Sequence, residues 1–170
     1  MCFRRSLTLL LLASLGQAAW ADNRDRFNQN YHWEPPKVWQ EAATTLPAYP
    51  NGNTSWLVIS GGPVYQNQIA LDADSLSIGT DAVIRYTLRI TSSEGVANIS
   101  HQGLRCDSRE FKLFAIAASQ NHEWQDAKTA QWRRIQPGHV PQALLARDYL
   151  CEDGRPLDNT ALMLARLKKG

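Results

Sequence analysis

The central part of the chain alternates apolar and polar positions with a period of two, which predicts β-strands. Between Ile84 and Ile90 every second residue is apolar, while Arg85 and Arg89 lie on the other side of the pattern. Ser-Ser-Glu-Gly at 92–95 predicts a hairpin connection to a return strand that ends near Cys106. The other strand-like runs are residues 55–60, 64–72 and 109–119. Residues 73–82 are predicted to be a turn-rich link.

Beyond residue 139 the apolar spacing changes from that of strands to that of helices. Pro141 can open a short helix, and Asp158 or Asn159 can cap a second one. Residues predicted to face the core are Leu144, Leu145 and Tyr149 in the first helix and Leu157, Ala161, Leu164 and Ala165 in the second. The predicted fold class is therefore α+β, an antiparallel β-sheet meander with two short C-terminal helices.

The segment ahead of the sheet is predicted to lie across the domain as an extended strap. A short helix starting at Pro36 could bury Val38 and Trp39, and Pro47 and Pro50 would end any helix. The segment carries the aromatic residues Trp33, Trp39 and Tyr49. They either form a peptide-recognition surface or attach the strap to its own core.

The N-terminus has the three parts of a secretory signal peptide. Arg4 and Arg5 precede an apolar run at 6–16, and a small-residue A-x-A pattern ends at Ala21. The run is too short to cross a bilayer of about 30 Å as a helix. We therefore predict a periplasmic protein cleaved after Ala21, with no transmembrane segment in the mature chain. The predicted divisions are the signal peptide (1–21), a polar, flexible segment (22–36) and a single α+β domain (37–170).

Charge argues against one class of partner. The formal net charge of +2 resides in Arg4 and Arg5, so the chain after the predicted signal peptide is neutral. Proteins that bind nucleic acid need a basic surface to contact the phosphates. Nucleic-acid binding is therefore not expected.

The cysteines are interpreted as a disulfide. Cys2 falls within the predicted signal peptide, which leaves Cys106 and Cys151. An exported chain meets an oxidising compartment, and closing so long a loop is worth roughly 4 kcal/mol in the chain-entropy description. A metal site would need further ligands at close spacing, and a catalytic thiol would need a free cysteine beside a base.

The sequence contains no strong catalytic or metal-binding motif. Its four histidines lack metal-ligand spacing, and neither His-Glu-x-x-His nor Gly-x-Ser-x-Gly occurs. We therefore predict no catalytic residue, no metal and no cofactor.

Weaker candidates are isolated polar residues on the predicted strands. Asp72 and Asp74 could supply acid–base groups or cation ligands, although a turn with side-chain hydrogen bonds is the simpler interpretation. Arg85 and Arg89 could bind a carboxylate, although a solvated sheet face is the expected environment. His101, on an apolar strand face, is interpreted as a core histidine with satisfied hydrogen bonds rather than a ligand.

Several segments together resemble a known family. VWQE, LPAYP, DADSLSIGTDAVIRYTLRITSSEGVANISHQGLRC, Trp132 and RDYLC, in this order, are similar to the cryptic neisserial protein-like family, functionally uncharacterised exported proteins of Gram-negative bacteria. The resemblance extends from about Trp39 to the C-terminus and implies a compartment and a fold but no catalytic residue. Where the family pattern places an aromatic residue after Asn-Ile-Ser, this chain has His101, which fits packing or hydrogen bonding better than a required catalytic role.

Two functional hypotheses follow. The first is a non-enzymatic interaction module of the cell envelope, which binds an unknown envelope protein or component through the aromatic strap and an exposed sheet edge. The alternative is a small-ligand binder or hydrolase with a polar pocket on the sheet, which requires its polar residues, Asp72 and Asp74 among them, to converge. Candidate contact residues are Trp33, Trp39, Tyr49, Arg85, Arg89 and His101.

Overall fold

A computed structural model describes residues 33–35 and 38–169 of the 170-residue chain. The chain divides into two units, residues 1–37 and 38–170. In the first unit, residues 33–35 form neither helix nor strand and are exposed. The predicted signal peptide, most of the predicted polar segment and the predicted helix start at Pro36 lie outside the described residues. The fold described below is that of the second unit.

The second unit contains an antiparallel β-sheet in which neighbouring strands follow one another along the chain. This order confirms the predicted meander. The short strand β7 also pairs with β5, beyond the end of β6. The strands are β1 (Trp56–Ile59), β2 (Gln68–Ile78), β3 (Ile84–Thr91), β4 (Ala97–Arg105), β5 (Glu110–Ala118), β6 (Glu123–Asp126) and β7 (Arg133–Arg134).

The two predicted helices follow the sheet. Helix α1 (Val140–Leu144) begins with Pro141 in its first turn and continues into a π-helical turn, Leu145–Leu150. A small hairpin of β8 (Cys151–Glu152) and β9 (Arg155–Pro156) leads to α2 (Thr160–Leu167). The side chain of Asn159 caps α2 by accepting a hydrogen bond from the Leu162 amide at 3.0 Å, which satisfies an amide that the helix itself leaves unpaired.

The core lies between one face of the sheet and these helices. The even-numbered apolar residues of β3 face it, as the period of two predicts. The buried cluster combines sheet residues with helix residues: Ile69, Leu71, Ile84, Tyr86, Leu88, Leu104, Phe111, Leu145, Leu150, Met163 and Leu167. This face therefore gains its stability mainly from the burial of apolar surface.

The predicted disulfide joins Cys106, directly after β4, to Cys151 at the start of β8, with 5.7 Å between the two Cα atoms. That separation lies within the usual range for a disulfide. The bond ties the end of a central strand to the end of the π-helical turn. It therefore fixes the helical layer to the sheet at a point where the chain returns towards it.

Helix α2 is rotated relative to the prediction. Met163 and Leu167 are buried and Leu164 is half-buried, while Ala161 and Ala165 are exposed. The predicted face relied on two alanines, whose small apolar area contributes little to burial. The larger side chains spaced four residues apart determine which face packs on the sheet.

The predicted turn-rich link at 73–82 was also wrong in its first half, because β2 continues to Ile78 through a break in register between Asp72 and Ser77. The Ser75 hydroxyl donates to the Asp72 carbonyl at 2.9 Å and accepts from the Thr87 amide of β3 at 2.7 Å. Asp74 donates its amide to the Asp72 carboxylate at 3.2 Å. Side chains typical of turns thus form hydrogen bonds that replace those of the β-ladder at this β-bulge.

Replacing both disulfide cysteines, Cys106→Ala with Cys151→Ala, should lower the free energy of unfolding by about 2–4 kcal/mol, because the unfolded chain regains the freedom that the bond removes. Urea denaturation followed by circular dichroism measures the difference. Reductant should destabilise the wild-type protein to a similar degree and leave the double variant unchanged. Two titratable thiols in the denatured, unreduced wild-type protein would contradict the bond.

Candidate functional site

The face of the sheet opposite the helices is covered by residues 38–50, which we call the strap. The strap contains no helix or strand, so the short helix predicted to bury Val38 was wrong, and Val38 is exposed. Its two ends are held by aromatic side chains. Trp39 Nε1 donates to the Asp81 carbonyl at 2.9 Å, and Tyr49 Oη donates to the Ala118 carbonyl at 3.1 Å. The strap thus runs from the β2–β3 turn to the far end of β5.

Within the strap, exposed and half-buried residues alternate. Ala42, Thr44 and Leu46 are half-buried, while the residues between them are exposed. This is the side-chain alternation of extended backbone, adopted here without pairing to a strand. The strap therefore presents one side to the sheet and the other to solvent.

Arg85 of β3 is the centre of the strap–sheet contact. Its guanidinium binds the Asp81 carboxylate through two nitrogens, at 3.0 and 2.8 Å, and also donates to Thr44 Oγ1 at 2.9 Å and the Ala42 carbonyl at 3.0 Å. Arg85 is only 6% exposed, so the expectation of a solvated face was wrong at this position. A buried guanidinium requires a charge partner and full hydrogen bonding, and the strap completes both.

Asp81 is the counter-ion of Arg85 and also binds the strap directly. Its carboxylate accepts hydrogen bonds from the amides of Ala42 at 2.8 Å and Val83 at 3.2 Å. Burial alone would raise the pKa of Asp81, but the hydrogen bonds from Arg85, Ala42 and Val83 outweigh it and lower the pKa to about 2. The carboxylate is therefore charged at every physiological pH.

Aromatic rings form a continuous row beneath and beside the strap. Neighbouring ring centroids are 5.8–6.3 Å apart, at steep or tilted angles typical of aromatic packing. In order along the row, the residues are Trp39, Trp132, Phe114, His101, Trp124 and Tyr49. We call this set the aromatic row.

Two further contacts join the aromatic row to the strap. Trp124 Nε1 donates to the Pro47 carbonyl at 2.9 Å, and Trp132 Nε1 donates to the Glu41 carboxylate at 3.1 Å. Gly103 of β4 leaves space for the row, because a Cβ atom there would lie 2.7 Å from the Phe114 ring. The row therefore packs directly on strand backbone.

Cations lie against the same rings. The Arg105 guanidinium carbon is 4.0 Å from the Trp39 ring centroid, and Lys112 Nζ is 5.2 Å from that of Phe114. Lys112 also binds the Glu41 carboxylate at 2.8 Å. Together these contacts attach the first half of the strap to β4 and β5.

His101 occupies the middle of the aromatic row and is 2% exposed. Its Nδ1 lies 3.2 Å from Thr87 Oγ1, but Nε2 is buried without a hydrogen-bond partner among the described residues. The interpretation of a core histidine fits its burial, but its hydrogen bonding is incomplete. Burial, and to a lesser degree the charge of Arg85, lowers the pKa of His101 to about 4. The imidazole is therefore neutral at neutral pH.

The remaining candidate polar residues do not share a pocket with Arg85 or His101. Arg89 is half-buried and stacks over Trp56 of β1, with its guanidinium carbon 4.3 Å from the ring centroid. Asp72 and Asp74 line a separate cavity of about 270 Å³ beside Tyr49, where burial raises the pKa of Asp72. Trp33 is 69% exposed.

A groove lies between the strap and the loop that joins β6 to β7. Its volume is about 690 Å³, its inner side includes Phe114 and Lys112, and small residues line much of the rest. The lining residues from the strap are Glu41, Ala42, Ala43, Thr44 and Leu46, and those from the other side include Asp126, Ala127 and Ala130. Sequence analysis did not identify this groove, because its two walls are about 80 residues apart along the chain.

The described residues contain neither a membrane-spanning helix nor a cluster of metal-ligating side chains. No helix in residues 38–169 combines the length and apolar character of a membrane-spanning segment. Within the same described part of the chain, no three His, Cys, Asp or Glu side chains are grouped as metal ligands would be.

The sequence profile of one family, described as the CNP1-like family, matches residues 34–168, which include the strap, the sheet and both helices. The chain belongs to the CNP1-like family. It is also similar to the "Cryptic neisserial protein 1" of Neisseria gonorrhoeae (strain ATCC 700825 / FA 1090), with 26% identity over 190 aligned positions that cover 98% of this chain and 93% of that protein. No solved structure matches the chain. The region matched by the family profile includes every residue of the strap, the aromatic row and the groove.

Replacing the counter-ion, Asp81→Asn, should lower the free energy of unfolding by about 3 kcal/mol, because it leaves the buried Arg85 charge without a partner. Asp148→Asn, which breaks the exposed Arg147–Asp148 pair, is the matched control and should cost under about 1 kcal/mol. Because the pKa of Asp81 is lowered on folding, its stabilisation is full above pH 3.8 and is lost as pH falls towards 2. Urea denaturation at pH 2–5 should therefore show a smaller pH dependence for Asp81→Asn than for the wild-type protein.

Proposed function

We propose that the protein is exported to the periplasm, with cleavage after Ala21, and acts there as a non-enzymatic binding module of the cell envelope. The N-terminal sequence supports export, because it combines basic residues, a short apolar run and a small-residue cleavage pattern. The Cys106–Cys151 bond is consistent with an oxidising compartment. The similarity to exported proteins of Gram-negative bacteria points to the same location.

Binding is favoured over catalysis because the polar groups of the sheet are engaged with the strap. The guanidinium of Arg85 and the carboxylate of Asp81 bind each other and the strap backbone, which leaves them without access to a substrate. The alternative of a small-ligand binder or hydrolase needs these groups in one pocket with Asp72 and Asp74. Those two carboxylates line a different cavity, so this alternative has less support.

The single observation that carries the proposal is the groove of about 690 Å³ between the strap and the β6–β7 loop. A volume of this size is typical of ligand and peptide pockets. Alanines at 42, 43, 127 and 130 give the groove shallow walls, and Phe114 supplies an aromatic surface. Small walls beside an aromatic surface leave room for the side chains of a guest.

The groove best fits an extended segment of an envelope protein. The strap wall is itself extended, so a guest chain can run alongside it. The free sheet edges are less suitable, because β1 and β6 are only four residues long and offer few backbone hydrogen bonds. Glu41 and Lys112 neutralise each other, whereas Asp126 forms no salt bridge within the described residues. The guest should therefore combine an apolar residue with a neutral or basic neighbour.

Export is tested by expressing the full chain in a Gram-negative host and measuring the intact mass of the periplasmic form. We expect a protein that begins at Asp22 and contains one disulfide. A protein that retains Met1, or one found only in the cytoplasm, would contradict the proposal for export without bearing on the groove.

Binding is tested with a photo-crosslinking amino acid at Ala43, which is exposed on the strap wall of the groove. We expect a discrete adduct with one envelope protein, mapped to a short segment of it. Ala130→Trp should reduce that adduct at least tenfold by filling the groove. Ala97→Trp is the matched control, because Ala97 is an exposed residue of β4. It lies six residues, about 20 Å along the strand, from Gly103, so this variant should leave the amount of adduct unchanged. Equal adduct with Ala130→Trp, or capture of many unrelated proteins, would rule out the groove as the binding site.

A further inference from the structure

The buried imidazole of His101 lies between two points at which the strap is held. On one side, Thr44 of the strap binds Arg85 on β3. On the other side, Pro47 of the strap accepts a hydrogen bond from Trp124 on β6. His101 lies on β4, between those strands in the sheet order. The section of strap between the two points therefore crosses the part of the sheet that contains His101.

The environment of His101 suits only the neutral ring. Nδ1 contacts Thr87, while Nε2 is enclosed without an acceptor among the described residues. The rings of Phe114 and Trp124 lie 6.1 and 6.2 Å from the imidazole. Protonation would make both ring nitrogens donors, with Nε2 left buried without an acceptor, and would add a positive charge on the same sheet face as Arg85. Burying an unpaired donor and an unpaired charge is costly.

We propose that His101 is an acid-sensitive latch, whose protonation releases the strap while the sheet and helices remain folded. Release would let water reach Nε2 and move the strap away from the rings around it. The opposite sheet face would be unaffected, because it is held by the apolar core and the disulfide. The inference concerns only the strap and does not depend on what the groove binds.

The charged and titratable groups on this face come from every element around His101. They are Asp72 on β2, Asp81 in the β2–β3 turn, Arg85 and Arg89 on β3, Arg105 on β4, Glu110 and Lys112 on β5, Asp126 on β6, Glu41 and Tyr49 on the strap, and His122 beside Tyr49. Glu41 also holds the strap, through Lys112 and Trp132, and Glu41→Gln, which should keep the acid response, tests it separately. For two other carboxylates, the direction of the pKa shift excludes a role in opening the strap. Asp81, with its pKa of about 2, stays charged until far lower pH. Asp72 has a raised pKa, so its protonation favours the folded form and cannot open the strap.

Proton linkage gives the direction and the size of the pH effect on strap opening. The pKa of His101 is lowered to about 4 in the closed form, while a freed imidazole titrates near 6.5. The closed form is therefore fully favoured above pH 6.5 and loses that advantage as pH falls towards 4. At pH 4.5 the opening equilibrium should be about 20- to 100-fold larger than at pH 7.5.

Hydrogen exchange with mass spectrometry at pH 7.5, 6 and 4.5 tests the latch, using rates corrected for intrinsic pH dependence. Peptides that cover the strap, including the Ala42 amide that binds Asp81, should lose protection about 20- to 100-fold at pH 4.5. Peptides from β3 should keep theirs. Parallel loss of protection in β3 would show global unfolding and overturn the proposal.

Variants assign the response to His101. His101→Gln and His101→Phe remove the titrating group and should abolish the acid response, whereas His122→Gln and Asp72→Asn should retain it. An unchanged acid response in both His101 variants, or its loss in His122→Gln, would overturn the proposal. If either His101 variant fails to fold, NMR titration of His101 in the wild-type protein gives the same answer. The imidazole should titrate together with strap opening, and a strap that opens while His101 stays neutral would rule out the latch.

Discussion

The structure depends on covering both faces of a single sheet, and the more demanding face is the one that contains Arg85. A guanidinium buried on a β-sheet needs a counter-ion and acceptors for its remaining N–H groups. Asp81 supplies the charge, and the Thr44 hydroxyl and Ala42 carbonyl accept the other hydrogen bonds. Because two of these acceptors belong to the strap, the sheet face and the strap require each other. Without the strap, this face would expose a polar centre surrounded by aromatic rings.

The two faces are therefore stabilised by different physics. The helix-covered face is an apolar core whose stability follows from buried area, and the disulfide holds it together. The strap-covered face depends on directed contacts, which are hydrogen bonds, one buried ion pair, ring edges and cations over rings. Hydrogen bonds weaken steeply as their distance and angle change, and the strap belongs to no helix or strand that would hold it through a backbone ladder. This difference is why the strap, and not the helical layer, is the element we expect to move.

The same contacts determine what the molecule offers to a partner. The strongest polar groups are engaged internally, so they position the strap and do not form an open site. The strap in turn forms one wall of the groove, and the groove depends on the Arg85–Asp81 contact for its shape. The proposed binding surface and the proposed latch thus both depend on one docked segment. The family match across residues 34–168 includes all of these parts.

The sequence by itself determined the order of strands, the two helices and the disulfide. The elements follow from local patterns: alternation in 84–90 indicates a strand, and Pro141 and either Asp158 or Asn159 indicate helix starts. The disulfide follows from composition, because the two cysteines outside the predicted signal peptide leave one pairing. The sequence also indicated Trp33, Trp39, Tyr49, Arg85, Arg89 and His101 as candidate contact residues. What it did not predict is how those positions are used. A period of two separates two faces but does not say which face is covered, so Arg85 was expected in solvent.

Only the tertiary structure decided that the second face is buried, because the covering segment lies about 40 residues from Arg85 and its sequence does not indicate which face of the sheet it covers. The same long-range contact between strap and sheet gives roles to Asp81, Glu41 and Trp132. No local pattern indicates which acidic side chain will pair with which basic one. The rotation of α2 was likewise set by the sheet surface that receives Met163 and Leu167. Local spacing therefore specified the elements, while the pairing of distant side chains determined the site.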